Sequence, residues 1–109
     1  IFLAAPTSPD ERLELVSRAS RGFIYAVSRI GVTGEQQALS GDAAPLVARL
    51  RALTCEPIVL GFGISTPEQV AAAAAVADGA VVGSALVRYL EEHPGGDVGA
   101  RVRWLKSRM

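Results

Sequence analysis

Two short glycine-containing segments are the residues of this chain best suited to chemistry. The segment Gly-Phe-Gly-Ile-Ser at 61–65 follows the apolar run 57–60, and Gly-Ser at 83–84 follows the apolar run 79–82. Glycine lets backbone N–H groups approach an anion without a Cβ in the way, and a helix that begins there adds the positive end of its dipole. The two segments therefore predict a phosphate clamp at the carboxyl ends of two buried strands.

Composition sets the outer bounds of this prediction. The chain has 109 residues, half of them hydrophobic, and its 11 basic and 11 acidic side chains balance. This size predicts one domain covering residues 1–109, and the charge balance argues against nucleic acid as a partner. Cys55 is the single cysteine, so the chain forms no internal disulfide and suits the reducing cytoplasm.

The sequence also carries no sign of a targeting or membrane segment. The apolar opening 1–6 is too short for a signal peptide and has no basic residues before it. The longest apolar run, 70–77, is too short to span a bilayer. We therefore expect no membrane partner. Because the chain begins with isoleucine inside an apolar run, we interpret it as a piece of a larger protein.

The hydrophobic pattern alternates short apolar runs with amphipathic segments, which is typical of repeated βα units. Strands are predicted at 1–4, 23–27, 58–60 and 80–82, and their continuous apolar character predicts parallel strands covered on both faces. Ser8 before Pro9 predicts one helix start, and either Ser65 or Thr66 before Pro67 predicts another. The apolar positions expected on the first, second and last helix faces are Leu13, Val16 and Ala19, then Leu46, Val47, Leu50 and Leu53, then Val98, Val102 and Leu105.

Repeated βα units form either a doubly wound sheet or a closed barrel. A doubly wound nucleotide-binding domain has its glycine-rich turn after the first strand, whereas the glycines here follow the second, third and fourth strands. Anion contacts at successive strand ends favour an α/β fold of the (β/α)8 TIM-barrel type. A complete barrel needs about 250 residues, so this chain would hold only four βα units of one.

Five segments together resemble the tryptophan synthase alpha chain family. They are Phe-Leu-Ala-Ala-Pro-Thr at 2–7, Gly-Phe-Ile-Tyr at 22–25, Ser-Arg-Ile-Gly-Val-Thr-Gly at 28–34, the 61–70 segment and Val-Gly-Ser-Ala-Leu-Val at 82–87. The resemblance covers essentially the whole chain and corresponds to the C-terminal half of the family, its fifth to eighth βα units. It implies a lyase that cleaves indole-3-glycerol phosphate to indole and glyceraldehyde 3-phosphate in tryptophan biosynthesis.

The resemblance also implies roles for individual residues. Tyr25 would lie near the reacting carbons, and Thr33 would support a catalytic carboxylate. The remaining roles are phosphate binding by Gly34, Gly63, Gly83 and Ser84, apolar contact with the indole by Leu3, Phe62 and Ile64, and a closing loop that contains Arg29 and Gly31. The partner would be the beta chain, which carries pyridoxal phosphate, while this chain uses no cofactor and no metal.

Simpler interpretations remain open for these residues. Tyr25 also fits a core tyrosine, Gly63 a tight turn, and Ser84 an ordinary helix N-cap. The cleavage needs an acid or base, yet no carboxylate follows a strand at the clamp, and only Glu35, in the closing loop, is expected near it. We therefore predict that the chain alone has no lyase activity. The alternatives are a noncatalytic, self-associating half-barrel that binds phosphate and another phosphate-binding TIM-barrel enzyme.

Overall fold

The computed structural model describes residues 1–28, 30–33, 36–39 and 41–109, with the backbone alone described for 30–33 and 36–39. The strands are β1 (Leu3–Ala4), β2 (Ile24–Val27), β3 (Ile30–Thr33), β4 (Gln36–Leu39), β5 (Ile58–Gly61) and β6 (Gly79–Val81). The helices are α1 (Asp10–Ala19), α2 (Ala43–Arg51), α3 (Pro67–Val76), α4 (Ser84–Glu92) and α5 (Val98–Leu105). The four predicted apolar strands are all present, with ends that differ from the prediction by one or two residues.

The order of the strands distinguishes the two folds that the sequence left open. Four parallel strands form one sheet in the order β1-β2-β5-β6, which is also their order along the chain. Helices α1, α2 and α3 lie in the three connections of this sheet, and α4 follows β6. A doubly wound sheet reverses its strand order at the switch point, and this sheet does not. The arrangement confirms four βα units of the barrel type.

The sheet is covered by helices on one face only. Ile24, Ala26, Ile58 and Leu60 are fully buried on that face. They belong to one core with apolar side chains of α1, α2 and α3, among them Leu13, Val16, Leu46, Leu50, Val70 and Ala73.

The opposite face carries the row Leu3, Tyr25 and Val59, which are in register, and none of the three is buried. The described residues therefore do not supply the predicted cover for this second face. This is the geometry of a barrel wall, whose inner face is covered by the strands opposite it.

Several local predictions also fail. Ser8 does not cap α1, because its hydroxyl accepts a hydrogen bond from the Ala5 amide at 3.1 Å, and Pro9 takes the N-cap position. The positions expected on apolar helix faces that are exposed instead are Ala19, Leu53, Val98 and Val102. Leu53 lies beyond the end of α2, so the periodicity that placed it on the buried face no longer applies there.

The segment after β2 contains two strands that the sequence analysis did not predict. Ile30–Thr33 and Gln36–Leu39 pair as an antiparallel hairpin, with Ile30 opposite Leu39 and Thr33 opposite Gln36. The sequence predicts a loop at 29–34 instead. Ile30, Val32 and Thr33 of β3 favour a strand. Gly31 between them weakens that pattern in the sequence.

Candidate functional site

A cavity of about 420 Å³ lies at the carboxyl edge of the sheet. Because β2, β5 and β6 are parallel, their carboxyl ends meet at this edge, and the turns that follow them face one another. Residues from these strands, from the turn after β5 and from the first turn of α4 surround the cavity. They are Tyr25, Phe62, Gly63, Ile64, Ser65, Val81, Gly83, Ser84, Ala85 and Arg88.

The turn after β5 is built from two consecutive residues with positive φ. Phe62 has φ of 100° and Gly63 has φ of 78°. Glycine adopts this conformation freely, whereas a bulky residue there is strained. Phe62 is nevertheless 63% exposed, while Ile64 two residues later is buried at 2%. The turn thus presents an aromatic ring beside a glycine amide at the cavity.

The start of α3 satisfies its own amides. The Thr66 hydroxyl accepts from the Gln69 amide at 3.2 Å, and the Gln69 side-chain oxygen accepts from the amides of Ser65 and Thr66 at 2.8 and 3.2 Å. This capping box confirms Thr66 as the N-cap. Within the part of the chain that the structure describes, the Gly63 amide has no such partner. The Gly63 amide therefore remains available to a ligand at the cavity.

The start of α4 is uncapped. Its N-cap is Gly83, with no side-chain hydrogen bond, and Ser84 is the first helical residue. The interpretation of Ser84 as an ordinary N-cap was wrong. Among the described residues, neither the amide nor the hydroxyl of Ser84 has a hydrogen-bond partner. First-turn amides and the helix dipole together favour an anion at this position.

Tyr25 lies on the uncovered face of the sheet and lines the cavity. It is half-buried, and its ring lies over Gly61. No hydrogen bond from its hydroxyl is found within the described residues. Tyr25 is therefore not a core tyrosine with a satisfied hydroxyl. Its ring borders a cavity, and its hydroxyl has no partner among the described residues.

The structure thus brings together Tyr25, Gly63, Gly83 and Ser84, with Phe62 and Ile64 beside them. Leu3 lies in β1, is 63% exposed and does not line this cavity. Gly31 and Thr33 lie in β3, where the backbone alone is described. Arg29, Gly34 and Glu35 lie outside the described residues, so their predicted roles stay predictions.

Sequence reasoning missed Ser65, Ala85 and Arg88 at this cavity. Ser65 and Ala85 each adjoin a residue that was predicted. Arg88 had one available signal, its position four residues after Ser84, since residues at this spacing share a helix face. A lone surface arginine is too common for that spacing to single it out.

No carboxylate lines the cavity among the residues that the structure describes. Among the described carboxyl groups, that of Asp78 lies at the opposite edge of the sheet. The Ile58 amide donates to it at 2.9 Å and the Arg51 guanidinium at 3.2 Å, and in that order they hold the pKa of Asp78 below its ordinary value of 3.8. Asp78 therefore ties the start of β5 to the start of β6 and has a structural role.

Two further classes of site are absent from the described ranges. No group of three or more histidine, cysteine, aspartate or glutamate side chains is placed to hold a metal ion. None of the helices there is both long and apolar enough to cross a membrane.

Comparison with known proteins shows the family of the chain. The family model described as tryptophan synthase alpha chain matches residues 1–105. The tryptophan synthase alpha chain of Caulobacter sp. strain K31 is 57% identical over 91 residues, which are 84% of this chain and 33% of that protein. The alpha chain of Solibacter usitatus is 54% identical over 93 residues, 85% of this chain and 35% of that protein.

Solved structures agree. A tryptophan synthase structure from M. tuberculosis, in its open form, matches with a TM-score of 0.75 at 40% identity, covering 99% of this chain and 37% of that one. A protein from Aquifex aeolicus matches with a TM-score of 0.80 at 35% identity, covering 99% and 40%. This chain spans about a third of the length of the curated relatives that it matches. With a family model that covers nearly all of its residues, the chain belongs to the tryptophan synthase alpha chain family.

Proposed function

We propose that this chain supplies the phosphate-binding part of an enzyme of tryptophan biosynthesis, an indole-3-glycerol-phosphate lyase. The observation that carries the proposal is the meeting of Gly63, Ser84 and Tyr25 at one cavity on the carboxyl edge of the sheet. Active sites of (β/α)8 barrels lie at this edge, and the loops after the last strands commonly hold a phosphate. The unpaired amides of Gly63 and Ser84 suit a phosphate oxygen.

The reaction defines what each residue would do. In the aldol cleavage a proton is added to indole C3, the glycerol hydroxyl next to the breaking bond loses its proton, and the C–C bond electrons return to the indole ring. The products are indole and glyceraldehyde 3-phosphate. The amides of Gly63, Gly83 and Ser84 hold the phosphate, and Phe62 and Ile64 give apolar surface to the indole ring. Fixing the phosphate fixes the position of the reacting carbons.

The two proton transfers need groups that the described cavity lining does not contain. Tyr25 offers a hydroxyl, which can donate and accept hydrogen bonds. We therefore propose that the carboxylates come from the part of the family's length that this chain does not span. Supporting roles for Thr33, Gly34, Arg29 and Gly31 are part of the same proposal, as are a cytoplasmic location and a beta-chain partner that carries the pyridoxal phosphate.

The test joins this chain to the part of the Caulobacter alpha chain that precedes the matched region. The joined protein is assayed for indole release from indole-3-glycerol phosphate, beside the 109-residue chain and the Caulobacter protein itself. We expect release by the joined protein and none by the chain alone. A joined protein that folds and yet releases no indole, while the Caulobacter protein does, would contradict the proposal.

A substitution at the clamp sharpens this test. Ser84→Ala removes a hydroxyl that contacts the phosphate, so KM of the joined protein for indole-3-glycerol phosphate should rise about tenfold. Ser107→Ala, beyond the end of α5, removes a hydroxyl bonded to the Trp104 carbonyl and serves as the control. Equal KM values for the two variants would place the phosphate elsewhere.

The uncovered face of the sheet favours one other candidate, a noncatalytic half-barrel that pairs with a second copy. Edge strands β1 and β6 and the apolar row on that face have no cover among the described residues. This candidate predicts a symmetric dimer of the 11.4 kDa chain by light scattering and phosphate binding that Tyr25→Phe leaves unchanged. Indole release by the joined protein would decide against it.

A further inference from the structure

Arg88 is the charged side chain among the described residues that line the cavity. It lies on α4, four residues after Ser84. Helical side chains lean toward the N-terminus of their helix, so a residue at this spacing covers the first turn on the face that carries Ser84. The long side chain of Arg88 therefore reaches the same space that the Ser84 amide and hydroxyl face.

The guanidinium of Arg88 has no partner within the described part of the chain. The arginines at 18, 49, 51, 103 and 108 each form an ion pair there, and Arg88 forms neither an ion pair nor a hydrogen bond. Glu92 lies one turn further along α4 and lines a neighbouring cleft with Arg88, but the two do not pair. Arginine preceding glutamate is the weaker order for a helical pair. The charge of Arg88 thus remains available to an anion.

A guanidinium adds to this cavity what the amides lack. Backbone N–H groups and a helix dipole offer only partial positive charges to an anion. Arginine offers a full positive charge and a planar pair of donors that matches two phosphate oxygens. We propose that Arg88 binds the ligand's phosphate and makes the cavity select the dianionic ester over its monoanion and over unphosphorylated alcohols.

This inference rests on the proposed function, because that function places the phosphate at Gly63 and Ser84. Its rival is a structural role in the neighbouring cleft. There the side chains of Tyr89 and His93 stack with ring centroids 4.6 Å apart, and the Arg101 guanidinium lies 4.0 Å from the Trp104 ring centroid. An Arg88 that only covered this cleft would affect stability and would not respond to the charge of a ligand.

The experiment measures binding of glycerol 3-phosphate to the 109-residue chain by calorimetry at pH 5 and pH 8. The phosphate monoester has its second pKa near 6, so it is a monoanion at the lower pH and a dianion at the higher. The variants are Arg88→Gln, Arg88→Lys and the control Arg101→Gln, which removes the same charge outside the cavity. Circular dichroism melts establish that each variant is folded.

We expect Arg88→Gln to weaken binding at pH 8 about tenfold and to reduce the preference for pH 8 over pH 5. Arg88→Lys should retain part of both, and Arg101→Gln should match the unchanged chain. Equal affinities for Arg88→Gln and Arg101→Gln would overturn the role of Arg88 and leave the phosphate site standing. An unchanged chain that binds no glycerol 3-phosphate would overturn the phosphate site itself.

Kinetics of the joined protein give an independent measurement. If a group binds the phosphate equally in the substrate and in the transition state, its removal raises KM and leaves kcat unchanged. Arg88→Gln should therefore raise KM for indole-3-glycerol phosphate about tenfold at constant kcat. A loss confined to kcat would contradict a binding role.

Discussion

The ring of Tyr25 lies over the α-carbon of Gly61, on the neighbouring strand. Tyr25 is in register with Val59, so Gly61 is two residues further along and faces the same side of the sheet. A Cβ placed on Gly61 would lie only 2.5 Å from the Tyr25 ring carbon Cζ, closer than real Cβ atoms approach another heavy atom. Position 61 thus requires a glycine, because the missing Cβ leaves room for the Tyr25 ring. This packing sets the position of the ring at the cavity.

Gly61→Ala should move the tyrosine ring. The added methyl group forces the ring out of its position, which costs about 1–3 kcal/mol of unfolding free energy and displaces the hydroxyl. We expect a lower midpoint in urea unfolding and reduced indole release by the joined protein. Gly41→Ala is the matched control, because a Cβ there has nothing within 4 Å. Full activity in Gly61→Ala would show that the ring position is immaterial.

Tyr25→Phe separates the hydroxyl of Tyr25 from its ring. The hydroxyl has no partner within the described residues, so its removal should change the unfolding free energy of the chain by less than about 1 kcal/mol. Turnover of indole-3-glycerol phosphate by the joined protein should fall about tenfold or more, because the proposed function puts this hydroxyl near the reacting carbons. Tyr89→Phe, on α4, is the control. A stability loss without a turnover loss would make Tyr25 a structural residue.

The elements of the fold that the sequence predicts are those with strong local signals. Apolar runs flanked by glycine or proline locate the four parallel strands, and Thr66-Pro67 locates a helix start. Ser8 misleads because its hydroxyl accepts from the Ala5 amide three residues earlier, a local turn that competes with the cap. The uncovered face of the sheet has no local signal, because in a barrel its cover comes from the strands opposite it.

The candidate site divides in the same way. Gly63 and Ser84 could be predicted because glycine and small polar residues at strand ends have a backbone reason to be there. The role proposed for Arg88 could not be predicted. It depends on which turn lies opposite α4 and on the absence of a carboxylate partner among the described residues. Leu3 shares the Tyr25 face of the sheet and yet lies outside the cavity lining, a difference that only three-dimensional placement shows.

Phe62 combines strain with exposure, so its replacement should separate stability from binding. Positive φ costs a bulky residue roughly 1–3 kcal/mol, and glycine avoids that cost while losing some backbone entropy on folding. Phe62→Gly should therefore raise the unfolding free energy by about 1 kcal/mol and weaken binding of indole-3-glycerol phosphate. Phe62→Ala keeps the strain and loses the ring, so it should weaken binding equally without the gain. Equal stability of the two variants would show that the turn is unstrained.

Asp78 lies at the edge of the sheet opposite the cavity, and we expect its contacts to make part of the stability of the chain sensitive to acid. Its pKa is lower in the folded chain than its ordinary 3.8, so the stabilisation is fully present above pH 3.8 and is lost as the pH falls through the folded value. Because the side chain of Asp78 is 43% exposed, we expect Asp78→Asn to cost only about 1 kcal/mol at pH 7. The variant should also lose less stability than the unchanged chain between pH 4 and pH 2, as measured by urea unfolding across about that range. Glu91→Gln, an exposed carboxylate on α4, controls for the general effect of removing one charge, and parallel pH profiles for Asp78→Asn and the unchanged chain would contradict this role.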